Sequence, residues 1–217
     1  MITLSIIDVS AIFEWVIENI NYWWVFLLMV VESSFIPFPS EVIVPPAAYL
    51  AVTRGDMNTA TVVLAATAGA IVGALVNYFL SVWIGRPLVY RFANSDIGHA
   101  CLIDEAKVDN AERYFERHGA ISTFIGRLIP AVRQLISIPA GLARMNIGKF
   151  VLFTGLGALL WNAVLGALGF WLGKTVPLDQ LFESVEKYNT YLSYLGLAIG
   201  LVCVAVIVHN VLKHRSK

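Results

Sequence analysis

Charge is scarce in these 217 residues: 14% are Asp, Glu, Lys or Arg, against about 25% in an ordinary soluble domain. Cysteine is scarcer still, with Cys101 in a polar stretch and Cys203 in an apolar one. Cysteines so placed, with no CxxC and no His/Cys cluster at ligand spacing, give no ground for a disulfide or a metal centre, and no cofactor is expected. No basic residue precedes Arg54. The start therefore lacks the basic region of a secretory signal peptide, and the first segment is expected to stay in the mature protein. A formal net charge of zero gives nucleic acid nothing to recognise. A Gly-x-Ser-x-Gly elbow, an HExxH pair and a phosphate-binding loop are all missing, and His99, His118, His209 and His214 fall in or near polar flanks. Transport or binding is expected ahead of an enzyme.

What the chain has is apolar length: 58% of its residues are hydrophobic, with a mean hydropathy of +0.73. The pattern predicts an all-α polytopic membrane protein forming a single membrane domain over residues 1–217. Residues 1–21 place Ser10, Glu14 and Glu18 on one stripe among apolar neighbours, which reads as an amphipathic helix at the membrane interface. Residues 22–54 are long enough to span, yet Glu32, Ser33, Ser34, Pro37, Pro39, Glu41 and Pro45-Pro46 interrupt them. Each proline removes a backbone donor and clashes with the preceding turn, so two half-helices folded as a re-entrant hairpin fit better than one spanning helix.

Residues 57–85 form a continuous apolar stretch, about 43 Å long as a helix and so expected to tilt in a core of about 30 Å. Residues 86–118 are the hydrophilic insert, with an amphipathic helix from Asp104 to His118 whose charges read as a solvated face. Residues 119–143 are apolar but broken by Arg127, Pro130, Arg133 and Pro139-Ala140-Gly141, which predicts a second re-entrant hairpin. Residues 145–173 and 190–212 read as further transmembrane helices, the last ending in a basic tail.

The sequence also resembles itself. An offset of 88 residues aligns positions 57–85 with 145–173 at ten identities, from Met57-Asn58 on Met145-Asn146 to Gly85 on Gly173. One hairpin plus one spanning helix per copy crosses the membrane once, so the second copy is expected to be inverted and the two hairpins to oppose one another. Inverted repeats of broken helices are a recurring plan of secondary transporters, with the substrate site near the midplane. Ten basic residues fall on the side of the 86–118 insert and the C-terminus, and three (Arg54, Lys174, Lys187) on the other. That bias places the insert and the C-terminus in the cytoplasm.

Four charges remain inside apolar sequence: Glu32 and Glu41 in the first hairpin, Arg127 and Arg133 in the second. Each costs roughly 3 kcal/mol at bilayer depth, so pairing, water or a ligand must offset them. Two readings stay open: salt bridges that pin the hairpin tips together, or a transport site. Guanidinium groups bind phosphate through parallel hydrogen bonds, so Arg127 and Arg133, with Ser137 nearby, suit an anionic lipid headgroup. Glu32 and Glu41 are candidates for charge pairing or for proton exchange coupled to transport. Pro37, Pro39, Pro130, Pro139 and Gly141 read as the residues that break the hairpins. Ser40 and Asn77 are read as bonding to neighbouring helices.

The stretch FIGRLIPAVRQLISIPAGLARM, Phe124 to Met145, resembles a signature of the DedA family of bacterial membrane proteins, also called the VTT or SNARE-associated domain family. ESSFIPFPSEVIVPPAAYLA, Glu32 to Ala51, resembles its first signature. The resemblance covers roughly Trp24 to Gly173 and implies two opposed re-entrant hairpins in the bacterial cytoplasmic membrane. It also implies a role in envelope maintenance, with some members linked to flipping undecaprenyl phosphate or phospholipids and others to proton-dependent drug and alkali tolerance. The family positions carried over are Glu32, Glu41, Arg127, Pro130, Arg133, Pro139 and Gly141. Some members carry an acidic residue in the long helix where this chain has Val76-Asn77-Tyr78. Three functions follow as expectations: flipping of an anionic lipid, proton-coupled export of small cations or amphiphilic drugs, and a scaffold without transport.

Overall fold

A computed structural model of the chain describes residues 17–34, 40–85 and 105–181, with isolated positions at 87, 91 and between 183 and 198. All regular structure among these residues is helical. Asparagine side chains start three of the helices by accepting from backbone N–H groups that the first turn leaves unpaired. Asn21 accepts from Trp24 at 3.0 Å and opens α1, Tyr22–Glu32. Asn58 accepts from Ala60 and Thr61 and opens α3, Thr59–Leu80. Asn146 accepts from Lys149 and opens α7, Ile147–Thr175. Asn58 and Asn146 are the residues that the 88-residue offset aligns.

Prolines stand in the first turn of three more. A 3-10 turn, Ser40–Val42, leads into α2, Val44–Thr53, with Pro45 and Pro46 in its first turn. Such prolines begin this helix rather than interrupt it, because first-turn N–H groups have no intrahelical acceptor to lose. Ile129 is extended, as the residue before a proline prefers, so α4, Glu105–Leu128, stops there and Pro130 opens the short α5, Pro130–Arg133. Pro139 sits in the first turn of α6, Ser137–Leu142. Gly141 was expected to break the hairpin and does not. It lies inside α6, where a Cβ would collide with the Tyr78 carbonyl and Ser81, so its role is close packing on α3. The end of α6 is a Schellman cap instead: Arg144 takes a left-handed φ of 47°, and Met145 N–H reaches the Ala140 carbonyl at 3.0 Å.

A second expectation also changes. The insert and the second hairpin were divided at residues 118 and 119, but α4 runs through both without a break. Gly119 permits this by packing against the Phe115 ring, and no proline occurs between residues 105 and 129. The change at His118 is from polar to apolar surroundings, not from one backbone state to another. The N-terminal segment 1–16, Pro37, Pro39 and most of the 190–212 helix and basic tail lie outside the described residues.

Among the described residues, α3 and α7 are the two helices long enough and apolar enough to cross a membrane, α3 being extended by a π-helical turn, Ser81–Gly85. Their outward faces carry exposed large apolar side chains, including Leu64, Trp83 (70% exposed), Leu152 and Trp171. A contiguous apolar face of this size is placed against lipid, not water. Their inward faces carry small residues. A Cβ at Gly69 would meet the Phe26 carbonyl and at Gly73 the Val30 carbonyl, which seats α1 on α3. A Cβ at Gly169 would meet the Pro45 carbonyl, which seats α2 on α7. Such close approaches substitute for the hydrophobic drive that lipid cannot supply. Helix α4 packs along α7, and α6 along α3. Each long helix therefore holds the first arm of the broken segment that precedes it and the second arm of the other broken segment. Two apolar clusters result, one around Val25, Met29, Leu50 and Leu165, the other around Tyr78, Phe115, Ala140 and Phe150.

Candidate functional site

The breaks in the helices bring all four intramembrane charges together. Glu32 is the last residue of α1 and Glu41 lies in the 3-10 turn, while Arg127 ends α4 and Arg133 ends α5. A carboxylate at a helix C-terminus opposes the helix dipole, so Glu32 requires a cation, whereas Arg127 is favoured where it stands. All four are buried, at 2%, 5%, 3% and 7% exposure in the same order.

Their pairing is unequal. Arg133 Nη2 lies 3.0 Å from Glu32 Oε1 and 3.4 Å from Glu41 Oε2. The contact to Glu32 is close without hydrogen-bond alignment, since Oε1 accepts no hydrogen bond. The other oxygen of Glu32 accepts from Ser33 Oγ at 2.7 Å. The Arg133 guanidinium also lies over the Trp161 ring, 5.5 Å from its centre, a cation–π arrangement. One arginine thus takes both carboxylates. Arg127 has no carboxylate within ion-pair distance among the described residues; its Nη2 donates to Ser137 Oγ at 3.4 Å, and its Nε has no acceptor.

Small residues set the position of Arg127. A Cβ at Gly157 would fall 2.6 Å from the Arg127 Cβ, so glycine is what allows the end of α4 to lie this close to α7. Asn77 ties the two broken segments to each other. Its Nδ2 donates to the Ser33 carbonyl at 3.2 Å and to the Gln134 carbonyl at 3.4 Å, one on each side of the charge cluster. Across the helices, Asn162 donates to Thr67 Oγ1 at 3.3 Å, and Tyr78 donates to the Met145 carbonyl at 2.6 Å.

A narrow cleft opens between these elements, with room for about one water, lined by Glu32, Ser40, Arg127, Arg133, Trp161 and Asn162 among others. It therefore joins three of the four charges picked out from sequence to Ser40. Ser137 stands behind Arg127, Glu41 behind Arg133, and Pro130, Pro139 and Gly141 shape the backbone around them. Sequence reasoning missed Trp161 and Gly157. Their signal was spacing: Gly157 and Trp161 are one turn apart on one face of α7, and Trp161 is followed by a polar Asn162 in mid-span.

The VTT domain family matches residues 38–171 of the chain. Among individual relatives, an alkaline phosphatase-like protein of Lactococcus lactis is 31% identical over 192 residues, 88% of this chain and 87% of its own. The uncharacterized membrane protein YkoX of Bacillus subtilis is 33% identical over 211 residues, 96% of this chain and 87% of its own. Undecaprenyl phosphate transporter A of Bacillus subtilis is 29% identical over 191 residues, 88% of this chain and 90% of its own. No solved structure matches. With a family match over more than half its length and the two signatures folded around one buried charge cluster, the chain belongs to the VTT-domain, or DedA, family of membrane proteins.

Proposed function

We propose that this protein translocates an anionic lipid, a polyprenyl phosphate such as undecaprenyl phosphate or a phospholipid, across the bacterial cytoplasmic membrane, presenting Arg127 to its phosphate. The observation that carries the reading is the state of Arg127: a permanent cation, 3% exposed, with a serine hydroxyl as its partner and an Nε that donates to nothing. A buried guanidinium left so underpaired is stabilised when an anion arrives. The name of the 29%-identical relative, an undecaprenyl phosphate transporter, agrees with that chemistry.

In this reading the broken segments 22–54 and 119–143 are two re-entrant hairpins of an inverted repeat, with the 86–118 insert and the C-terminus in the cytoplasm. The exchange of second arms between α3 and α7, and the matching caps at Asn58 and Asn146, support the repeat. Protonation of Glu32 or Glu41 would loosen their hold on Arg133 and turn a second cation toward the headgroup, which couples transport to protons. Export of cations is the weaker reading because Arg133 already occupies both carboxylates. A cationic substrate would have to displace it. A scaffold needs no underpaired arginine.

Reconstitution in liposomes that carry an accessible polyprenyl phosphate tests the proposal. The wild type is expected to expose the lipid on both leaflets and Arg127→Ala, folded by an independent assay, to expose none. Equal exposure by both proteins removes Arg127 from the mechanism, and no exposure by the wild type removes lipid transport.

A further inference from the structure

Five buried donors around the cleft lack an acceptor among the described residues: Arg127 Nε, Arg133 Nε and Nη1, Ser40 Oγ and Trp161 Nε1. They come from four different elements, α4, α5, the 3-10 turn and α7. Ser40 is fully buried and Trp161 is 92% buried (8% exposed). Folded proteins rarely leave such groups orphaned, and an indole N–H can only donate. Lining one cleft together, they call for an occupant rich in acceptors. A single water offers two lone pairs to five donors. A phosphate offers several oxygens, each accepting more than one hydrogen bond, around one centre.

We propose that Trp161 and Ser40 are ligand-contacting residues, their N–H and O–H completing a donor ring with Arg127 around the phosphate oxygens. The proposal rests on the anion-site reading above and extends it to two uncharged residues. Trp161 then has two separable tasks. Its ring face supports Arg133, and its N–H binds the headgroup. Trp161→Phe keeps an aromatic face and deletes the N–H. Ser40→Ala deletes a hydroxyl that bonds nothing in the ligand-free protein.

The full chain in nanodiscs is titrated with a short-chain polyprenyl phosphate and, separately, with inorganic phosphate, and the ligand-free melting temperature is recorded. Each variant is expected to bind the polyprenyl phosphate about tenfold more weakly with a melting temperature unchanged or higher, because each loses an unsatisfied buried donor. That opposition of signs is what a purely structural role does not produce. Parallel weakening toward inorganic phosphate assigns recognition to the headgroup alone; weakening toward the lipid only assigns it to headgroup and chain together. Unchanged affinity in both variants overturns the proposal while the Arg127 site stands. Lower melting temperatures that track the lost affinity overturn it as well. A wild type that binds neither probe overturns the anion site with it. If Trp161→Phe does not fold, Ser40→Ala decides alone.

Discussion

Arg127 and Arg133 lie one turn of short helix apart in the same broken segment, and their surroundings are opposite. Arg133 has two carboxylates within 3.4 Å and an indole beneath it. Arg127 has a serine hydroxyl at the same distance and an orphaned Nε. Both are buried, so both would be expensive at bilayer depth if nothing offset them. The difference teaches that a charge kept inside a membrane protein can be there to hold two segments together or to wait for a ligand. The arrangement of partners tells the two apart.

The sharpest way to break this comparison is to remove each arginine in turn and measure unfolding in detergent. Arg133→Ala leaves Glu32 and Glu41 buried without their cation and is expected to destabilise the protein by about 3–5 kcal/mol. Arg127→Ala strands no carboxylate among the described residues and is expected to lose less than half as much. Equal losses would show that Arg127 is also a structural charge.

Gly157→Ala sharpens the same contrast from the backbone side. The added Cβ meets the Arg127 Cβ, so α4 must move off α7, at an expected loss of about 1–3 kcal/mol and with transport reduced as the guanidinium leaves the cleft. Denaturant melts and liposome lipid exposure on one preparation check both parts. A smaller effect is expected at Asn77, which acts on both broken segments at once. Asn77→Leu leaves the Ser33 and Gln134 carbonyls without this donor and is expected to lose about 1 kcal/mol. Hydrogen exchange should then rise around both residues 33 and 134. A rise at one alone would mean that Asn77 serves a single segment.

The legible part of this molecule was its chemistry along the chain. Long apolar runs, and prolines and charges set inside them, mark 57–85 and 145–173 as spans and 22–54 and 119–143 as broken segments, because lipid tolerates so few alternatives. The same scarcity made Glu32, Glu41, Arg127 and Arg133 stand out. What was not legible is what depends on three-dimensional convergence. Glu41 and Arg133 are 92 positions apart, and nothing local says that one arginine takes both carboxylates. Nothing local in the sequence says that Trp161, set in a long apolar span, lines the cleft. The boundary at residue 118 was misplaced because a shift from polar to apolar composition marks a change of solvent, and a helix passes through such a change without a break. Gly141 was misjudged for a related reason: glycine breaks helices in water, but between membrane helices it also serves as the place where backbones touch.

The measurement that bears most directly on the central claim, that Arg127 is held in reserve for an anionic lipid, is the thermal stabilisation of the purified chain by a polyprenyl phosphate. The wild type is expected to melt at a higher temperature as the lipid is added, since a ligand that binds the folded state shifts the equilibrium by mass action. Arg127→Ala, folded and melting near the ligand-free wild type, is expected to show no such rise. An equal rise in Arg127→Ala would contradict the account, because the lipid would then be held without the buried arginine that has no carboxylate partner among the described residues.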